Sequence, residues 1–305
     1  MRSDTPRHTE STRRCIVIGD VMTDIVVRMR SPIVVGSDTV SDITIGPGGS
    51  ASNQAVWLAR AGADVHLIAC VGDDESGGAA ERSLQDSGVQ THFQRSAVRP
   101  TGTVVSLVGA NGDRSMLADR GANIDLDGSM LAELFLDGAH LHLSGYELLD
   151  PASRETGLAA LRLASRHKMT TSIDPCSAGP LADVGSAAFL RWTDGVDLFC
   201  GNLDEGRVLT GAVDPVDVLE GLASHYPEVA LTLGGDGAIY TRSGDEPTGF
   251  PAIATTVVDT TGAGDSFTGT FLASWVSGGE PRAAIRRGME VAAQVVATPG
   301  ARLPA

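Results

Sequence analysis

The sequence predicts an α/β fold, a three-layer αβα sandwich with a mostly parallel central sheet and a small antiparallel β lid. Three observations carry that prediction. A short β-branched run, Cys15-Ile16-Val17-Ile18, ends in Gly19-Asp20, which is how a buried parallel strand ends. From residue 140 onward strand-like and helix-like stretches alternate, and such alternation builds a parallel sheet with helices on both faces. Two stretches, 25–45 and 101–118, instead look antiparallel; Pro32 and Gly36 break the first, and Asn111-Gly112 supplies the turn of the second.

Taken in order, the first strand and the flap at 25–45 are followed by a helix that begins near Ser52. That helix has Ala55, Val56, Leu58 and Ala59 on one face and Gly62 as its stop. A strand at 65–71, a helix at 77–88 and the second hairpin come next. The hairpin regions, about 25–47 and 98–120, are read as one small sheet inserted into the main domain. Strands at 140–143, 170–174, 196–200 and 229–233 then alternate with helices at 152–168, 179–192, 202–209 and 215–225. A meander with strand-like pieces at 239–241 and 257–258 leads to two final helices at 265–277 and 281–297. No repeat or linker divides the chain, so the expectation is a disordered polar tail over 1–13 and a single domain over 14–305.

A chain of 305 residues folded as one unit hides about three quarters of its unfolded surface, enough for a deep site and a cover over it. The net charge of −15 argues against a general affinity for nucleic acid, whose phosphates need a dense basic surface. Lys168 is the only lysine, so phosphate chemistry must rely on backbone N–H groups, arginine or a metal. No apolar run is long enough to span a bilayer, and the first thirteen residues lack the apolar core of a signal peptide. The expectation is a cytoplasmic protein with no membrane partner. Cys15, Cys70, Cys176 and Cys200 stand singly, without a CxxC pair, and read as reduced thiols packed as small hydrophobes.

The most informative segment is Asp259-Thr260-Thr261-Gly262-Ala263-Gly264-Asp265-Ser266-Phe267, followed by a helix with Phe271, Leu272 and Trp275 on its apolar face. Gly262 and Gly264 let the backbone aim consecutive N–H groups, with that of Ala263, into one concave spot, and the helix start adds partial positive charge. Such a nest stabilises charge on a transferring phosphoryl group, and Asp265 beside it is placed to accept a proton from an attacking hydroxyl. Taken alone, Asp265 reads equally well as a helix cap; the double glycine and the second acid, Asp259, favour the catalytic reading. The second segment is Gly46-Pro47-Gly48-Gly49-Ser50-Ala51-Ser52-Asn53-Gln54-Ala55, opening the first helix. Gly48 and Gly49 permit close backbone approach, and Asn53 offers a donor and an acceptor to a polyhydroxy ligand. Gly46, Gly48 and Ala51 also fit GxGxxA, but the segment follows a flap rather than the first core strand, which disfavours a dinucleotide-binding oxidoreductase.

Together the two segments resemble the PfkB-type carbohydrate kinases, the ribokinase-like family, over nearly the whole chain from Cys15 to Pro304. The resemblance implies a ribokinase-like fold and transfer of the ATP γ-phosphate to a hydroxyl of a sugar or sugar-like molecule, with Mg2+ as cofactor. It implies substrate contacts from Asp24, Gly48, Gly49, Ser50 and Asn53. Asn202 and Glu205, in Asn-x-x-Glu, match the pair that organises magnesium and phosphate, and Thr232, Gly234 and Gly237 match the turn that carries the nucleotide. Asp259, Thr261 and Gly300 correspond to a loop that binds a monovalent cation, K+, in several members.

Where ribokinase carries a lysine this chain has Ser50; its sugar-binding asparagine and glutamate fall on Met22 and on Gly145, beside Tyr146. Each buried polar group left unpaired costs about 1–3 kcal/mol, which disfavours ribose itself. Met289 or Glu290 falls where an asparagine near the adenine is common. Two other readings stay open: a nucleoside kinase on the same scaffold, with Tyr146 stacked on the base, and a ligand-sensing protein that does not turn over. Arg114 and Arg120, at the end of the second hairpin, are read as solvated lid charges in reach of an acidic substrate. His140 and His142 share a strand face without a third ligand nearby, so zinc is not expected. The lid's exposed strand edges suggest a homodimer paired through the lids.

Overall fold

In the computed structural model, which describes residues 13–109, 114–298 and 300–301, the chain forms two sheets. β1 (Arg14–Ile18) opens the large sheet, and β2 (Met22–Met29) and β3 (Ser41–Gly48) leave it as a hairpin. α1 (Ser50–Arg60), β4 (Asp64–Gly72), α2 (Glu75–Asp86) and β5 (Gln90–Ser96) return the chain to the large sheet. β6 (Gly102–Val108) and β7 (Arg114–Asp119) form the second hairpin, whose Asn111-Gly112 turn lies outside the described residues, as does the tail over 1–12. After a 3-10 turn at Gly121–Asp125 come α3 (Leu131–Leu134), β8 (His140–Ser144), α4 (Tyr146–Leu149), α5 (Arg154–Arg166) and β9 (Thr170–Asp174). Then follow α6 (Ala178–Val184), α7 (Ser186–Trp192), β10 (Leu198–Asn202), α8 (Leu203–Thr210), α9 (Pro215–Ala223) and β11 (Glu228–Thr232). β12 (Ala238–Arg242), β13 (Thr248–Phe250), α10 (Ala263–Val276) and α11 (Pro281–Val296) close the chain.

The large sheet has the order β13-β12-β11-β10-β9-β8-β1-β4-β5. It is parallel from β5 to β11, and β12 pairs antiparallel with both its neighbours. Alternate residues of β1 face opposite layers. Cys15 and Val17 pack with Ala55, Phe267, Phe271 and Ile285 of α1, α10 and α11, whereas Ile16 and Ile18 pack in the layer that holds α4 to α9. Fully burying a side chain the size of Phe271 contributes roughly 1.5–3 kcal/mol, so both faces need their helices. The small sheet, β3-β2-β6-β7, is antiparallel within each hairpin and parallel where β2 meets β6.

Four expectations are corrected. The helix expected over 179–192 is two helices, because Gly185 takes φ +83° between Val184 and Ser186, a backbone that an L side chain rarely adopts. No strand forms at 257–258, where both valines are largely exposed. β5 is an additional edge strand whose polar sequence, Gln-Thr-His-Phe-Gln-Arg-Ser, lacks the apolar run of its buried neighbours. The strand expected over 196–200 is shifted to end at Asn202, which puts that residue at the start of α8.

The packing of α10 on α1 places the chemistry. Gly269, in the buried stretch of α10, faces the α1 backbone so closely that an added Cβ would lie 2.5 Å from the Gln54 carbonyl oxygen and 2.7 Å from Trp57 Cβ. Neither backbone has room to yield. Gly269→Ala therefore should separate the two helices and destabilise the fold by about 2 kcal/mol, measured by urea unfolding; a loss below about 0.5 kcal/mol would show that the contact is soft.

Candidate active site

Four strands of the large sheet point the same way and end beside one another, and each delivers a polar group: Asp20 after β1, Ser144 at the end of β8, Asp174 at the end of β9 and Asn202 at the end of β10. Open parallel sheets bind their ligands at this edge. Asp20 acts first on structure. Gly49 begins α1 at φ +95° and has no side chain to cap it, so the buried Asp20 carboxylate accepts from the N–H groups of Ser50 (2.9 Å) and Ala51 (3.2 Å), and from the Ser144 hydroxyl (3.2 Å). This fixes the first turn of α1, whose residues Ser50, Asn53 and Gln54 fall on one helical face.

That face meets Asp265. Its Oδ1 accepts from Ser50 Oγ at 2.7 Å and Gln54 Nε2 at 3.2 Å, and its Oδ2 accepts from Asn53 Nδ2 at 3.0 Å. The cap of α10 is Gly262, at φ +72°, with no side-chain hydrogen bond; the carboxylate of Asp265 bonds across to α1, as a reactive group does and a cap does not. Burial pushes the Asp265 carboxyl up to about 7; the Asn53 and Ser50 hydrogen bonds work against that rise, and the charges of Asp174 and Asp20 add to it. A carboxylate poised near neutrality is suited to general-base work. Ala263 turns its N–H toward the Thr260 carbonyl at 3.4 Å, and Gly264 adjoins the same space as Asp265.

Asn202 and Glu205 form a reciprocal cap on α8. Asn202 Oδ1 accepts from the Glu205 N–H (3.0 Å), and the Glu205 carboxylate accepts from the Asn202 N–H (2.9 Å) and Nδ2 (2.7 Å). Glu205 is buried, and burial, with Asp174 nearby, raises its carboxyl above the ordinary range. A cavity of about 80 Å3 joins Ser50, Gly264, Asp265, Asn202, Glu205 and Thr232, bringing sequence-predicted residues from four separate motifs into one space.

The remaining predicted residues stand around it. Asp24 is half-buried at the root of β2 and lies directly on Gly48, where an added Cβ would fall 1.9 Å from its Oδ1. Gly234 and Gly237 bound the turn after β11, both at positive φ. Tyr146 does not line the cavity, and its ring carries the Arg120 guanidinium at 4.8 Å; Arg120 Nη2 also lies 3.7 Å from the buried Glu147, so Arg120 is not a solvated lid charge. Asp259 is buried: Oδ1 accepts from the Thr261 N–H (2.9 Å) and hydroxyl (2.5 Å), and Oδ2 from the Gly300 N–H (3.1 Å) and from Arg28 Nη2 of the lid (2.8 Å). Met22, in the place of a polar sugar contact, takes a hydrogen bond from Asn123 Nδ2 on its sulfur (3.1 Å).

Gln54, Asp174, Cys176 and Thr268 belong to the site without having been singled out from the sequence. Gln54 Nε2 donates to Asp174 Oδ2 at 2.8 Å, and Thr268 Oγ1 donates to the same oxygen at 3.3 Å. Asp174 had a legible signal, an acid closing a β-branched strand as Asp20 does. Gln54 was legible as the i+4 neighbour of Ser50 on the helix face.

Residues 12–305 match the family model described as pfkB family carbohydrate kinase. A ribokinase of Bacillus subtilis is 27% identical over 293 residues, 95% of each chain, and an ATP-dependent ribose-1-phosphate kinase of Halopiger xanaduensis is 30% identical over 296 residues, 95% of this chain and 94% of that one. The crystal structure of an adenosine kinase from Sinorhizobium meliloti superposes with a TM-score of 0.83 at 25% identity, covering 96% of each chain. Fold, site and sequence together place this chain in the pfkB family of carbohydrate kinases. It is an ATP-dependent phosphotransferase acting on a sugar-type hydroxyl.

Proposed function

We propose that Asp265 is the general base of this kinase and that Asp24, Gly48, Gly49, Ser50 and Asn53 hold the acceptor so that its hydroxyl faces the Asp265 carboxylate. The observation that carries this reading is the seat of Asp265: buried, raised toward neutrality, fixed by Ser50, Asn53 and Gln54, and open to the cavity that Glu205 and Thr232 share. The N–H groups of Gly262 and Gly264 meet the charge that develops on the transferred group, that of Ala263 being turned to the Thr260 carbonyl instead, and Thr232, Gly234 and Gly237 cradle the nucleotide. The lid of β2, β3, β6 and β7 closes over the acceptor and excludes water, which limits hydrolysis of ATP.

The buried carboxyl oxygens of Glu205 and Asp174 suit a hard divalent cation such as Mg2+, whose charge would favour the ionised form that burial alone disfavours. Asn202 and Glu205 would hold it, and it would supply neutralisation of phosphate charge. The loop of Asp259, Thr261 and Gly300 is a different case. Asp259 already accepts from two backbone N–H groups and from the Arg28 guanidinium, so the positive charge there is supplied by the protein, and the reading takes no K+. A lid-to-lid homodimer is supported by the exposed side chains of Ile43, Ile45, Met116 and Leu117 on the outer strands β3 and β7, which pairing would cover. Free thiols and a dependence on ATP fit a cytoplasmic location.

The acceptor is tested by ADP release from Mg-ATP across pentoses, hexoses, sugar phosphates and nucleosides. Acceptor-dependent release with a sugar or sugar phosphate, weaker with nucleosides, is expected; preference for a nucleoside would replace the sugar reading, and release that no acceptor stimulates would contradict both. The base role also fixes a pH dependence. Because Asp265 must be ionised and burial holds its carboxyl at about 7, kcat/KM should be level above that pH. Below it, kcat/KM should fall about tenfold per unit, reporting the free enzyme's base. A flat profile down to about pH 5 would mean that this group is not the base.

A further inference from the structure

Two fully buried histidines on β8 have no part in the site as described. His142 Nε2 lies 2.7 Å from Gln54 Oε1, and His142 Nδ1 lies 2.7 Å from Ser172 Oγ on β9. Ser172 Oγ is in turn 2.8 Å from His140 Nε2, and His140 Nδ1 is 3.0 Å from Thr170 Oγ1. The five side chains form one polar chain through the centre of the sheet, ending on the residue that donates to both Asp265 and Asp174.

One arrangement of protons satisfies every contact. Two carboxylates face the nitrogen side of the Gln54 amide, so its oxygen is the atom turned to His142, and His142 must carry its proton on Nε2. A neutral His142 then accepts at Nδ1 from the Ser172 hydroxyl, Ser172 accepts from His140 Nε2–H, and His140 Nδ1 accepts from Thr170. Burial keeps both rings neutral, pushing His142 down to about 3 and His140 well below the ordinary histidine range.

We propose that His142 is a positioning residue for the catalytic base: its Nε2–H holds the Gln54 amide in the one orientation that turns the amide NH2 onto Asp265 and Asp174. The alternative is a flipped amide, whose oxygen would accept a proton held by either acid. That state would favour protonated Asp265, which cannot act as a base. The surroundings make the distinction matter. Asp20 from the end of β1, Asp174 and Cys176 at and after the end of β9, and Glu205 from α8 surround the Asp265 carboxylate. The negative charge of Asp174 and Asp20 disfavours its ionised form, burial keeps the Cys176 thiol protonated, and the donors that favour the ionised form come from Ser50, Asn53 and Gln54 of α1. Securing Gln54 keeps one of these three donors in place through every change of charge. The feature is particular to residues 54, 142 and 172 and does not depend on which sugar is the acceptor.

Two measurements test it. In 15N-histidine-labelled protein, with His142 assigned from the His142→Gln variant, the His142 ring should remain a neutral Nε2–H tautomer from about pH 6 to 8; an Nδ1–H tautomer, or titration in that range, overturns the proposal. In 13Cγ-aspartate-labelled protein, Asp265 is the resonance missing from Asp265→Asn. Its titration midpoint should rise by about one pH unit in His142→Leu, a tenfold change in its proton affinity, and return toward the wild-type value in His142→Gln, whose amide again donates to Gln54. An unmoved midpoint in folded His142→Leu overturns the proposal; if that variant does not fold, the tautomer decides. The proposal rests on the reading of Asp265 as base for its consequence in catalysis. If Asp265→Asn keeps its turnover, that reading fails, while the tautomer and the midpoints still decide what His142 does.

Discussion

The close contact of α1 with α10 across Gly269 is the constraint on which the site depends. A carboxylate in the first turn of α10 has no partner of its own helix to hold it, and in water it would be an ordinary exposed acid. Because Gly269 lets the two backbones approach, three polar positions on one face of α1, at 50, 53 and 54, reach Asp265 with hydrogen bonds of 2.7–3.2 Å. The same contact buries the carboxylate, and burial tunes its proton affinity to the range where it can both lose and take a proton. Asp20 fixes the first turn of α1 from the end of β1, so the geometry around Asp265 is referred back to the sheet.

The charge economy of the chain follows from this arrangement. With a net charge of −15 and a single lysine, the protein does not draw an anionic nucleotide by its overall field. Asp20, Asp174, Glu205 and Asp265 gather instead at one edge of the sheet, where desolvation raises the carboxyls of Asp174, Glu205 and Asp265 together. Buried acids so placed make a cavity that a hard cation would stabilise, and on the proposed reading backbone N–H groups at the start of α10 would supply the complementary attraction for phosphate. The Arg28–Asp259 pair adds a physical link between the lid and the loop that leads into α10.

Much of this was legible in the sequence. The alternation after residue 140, the two hairpin segments and the Asp259–Asp265 segment pointed to the sheet, the lid and the start of α10, because each is written in local periodicity or in adjacent residues. The departures have physical causes. The break at Gly185 needed the weight of one glycine inside an apolar stretch, and β5 was hidden because an edge strand has a polar face and no continuous apolar run. The valines at 257 and 258 have strand propensity but no neighbouring strand to pair with. What lay beyond sequence reading was the set of long-range polar pairs, Gln54 with His142 or Asp20 with α1, whose partners come from different strands and meet only when the sheet order is known.

The account stands or falls on Asp265. The most direct test is single-turnover phosphorylation of an accepted sugar by Asp265→Asn beside the wild type, with ATP affinity measured calorimetrically on both. The predicted result is a loss of about 10^3-fold in the chemical step with ATP affinity changed by no more than about twofold, since the isosteric amide keeps the fold and the nucleotide turn. A chemical step within about tenfold of the wild type would contradict the assignment and move the base elsewhere in the cavity.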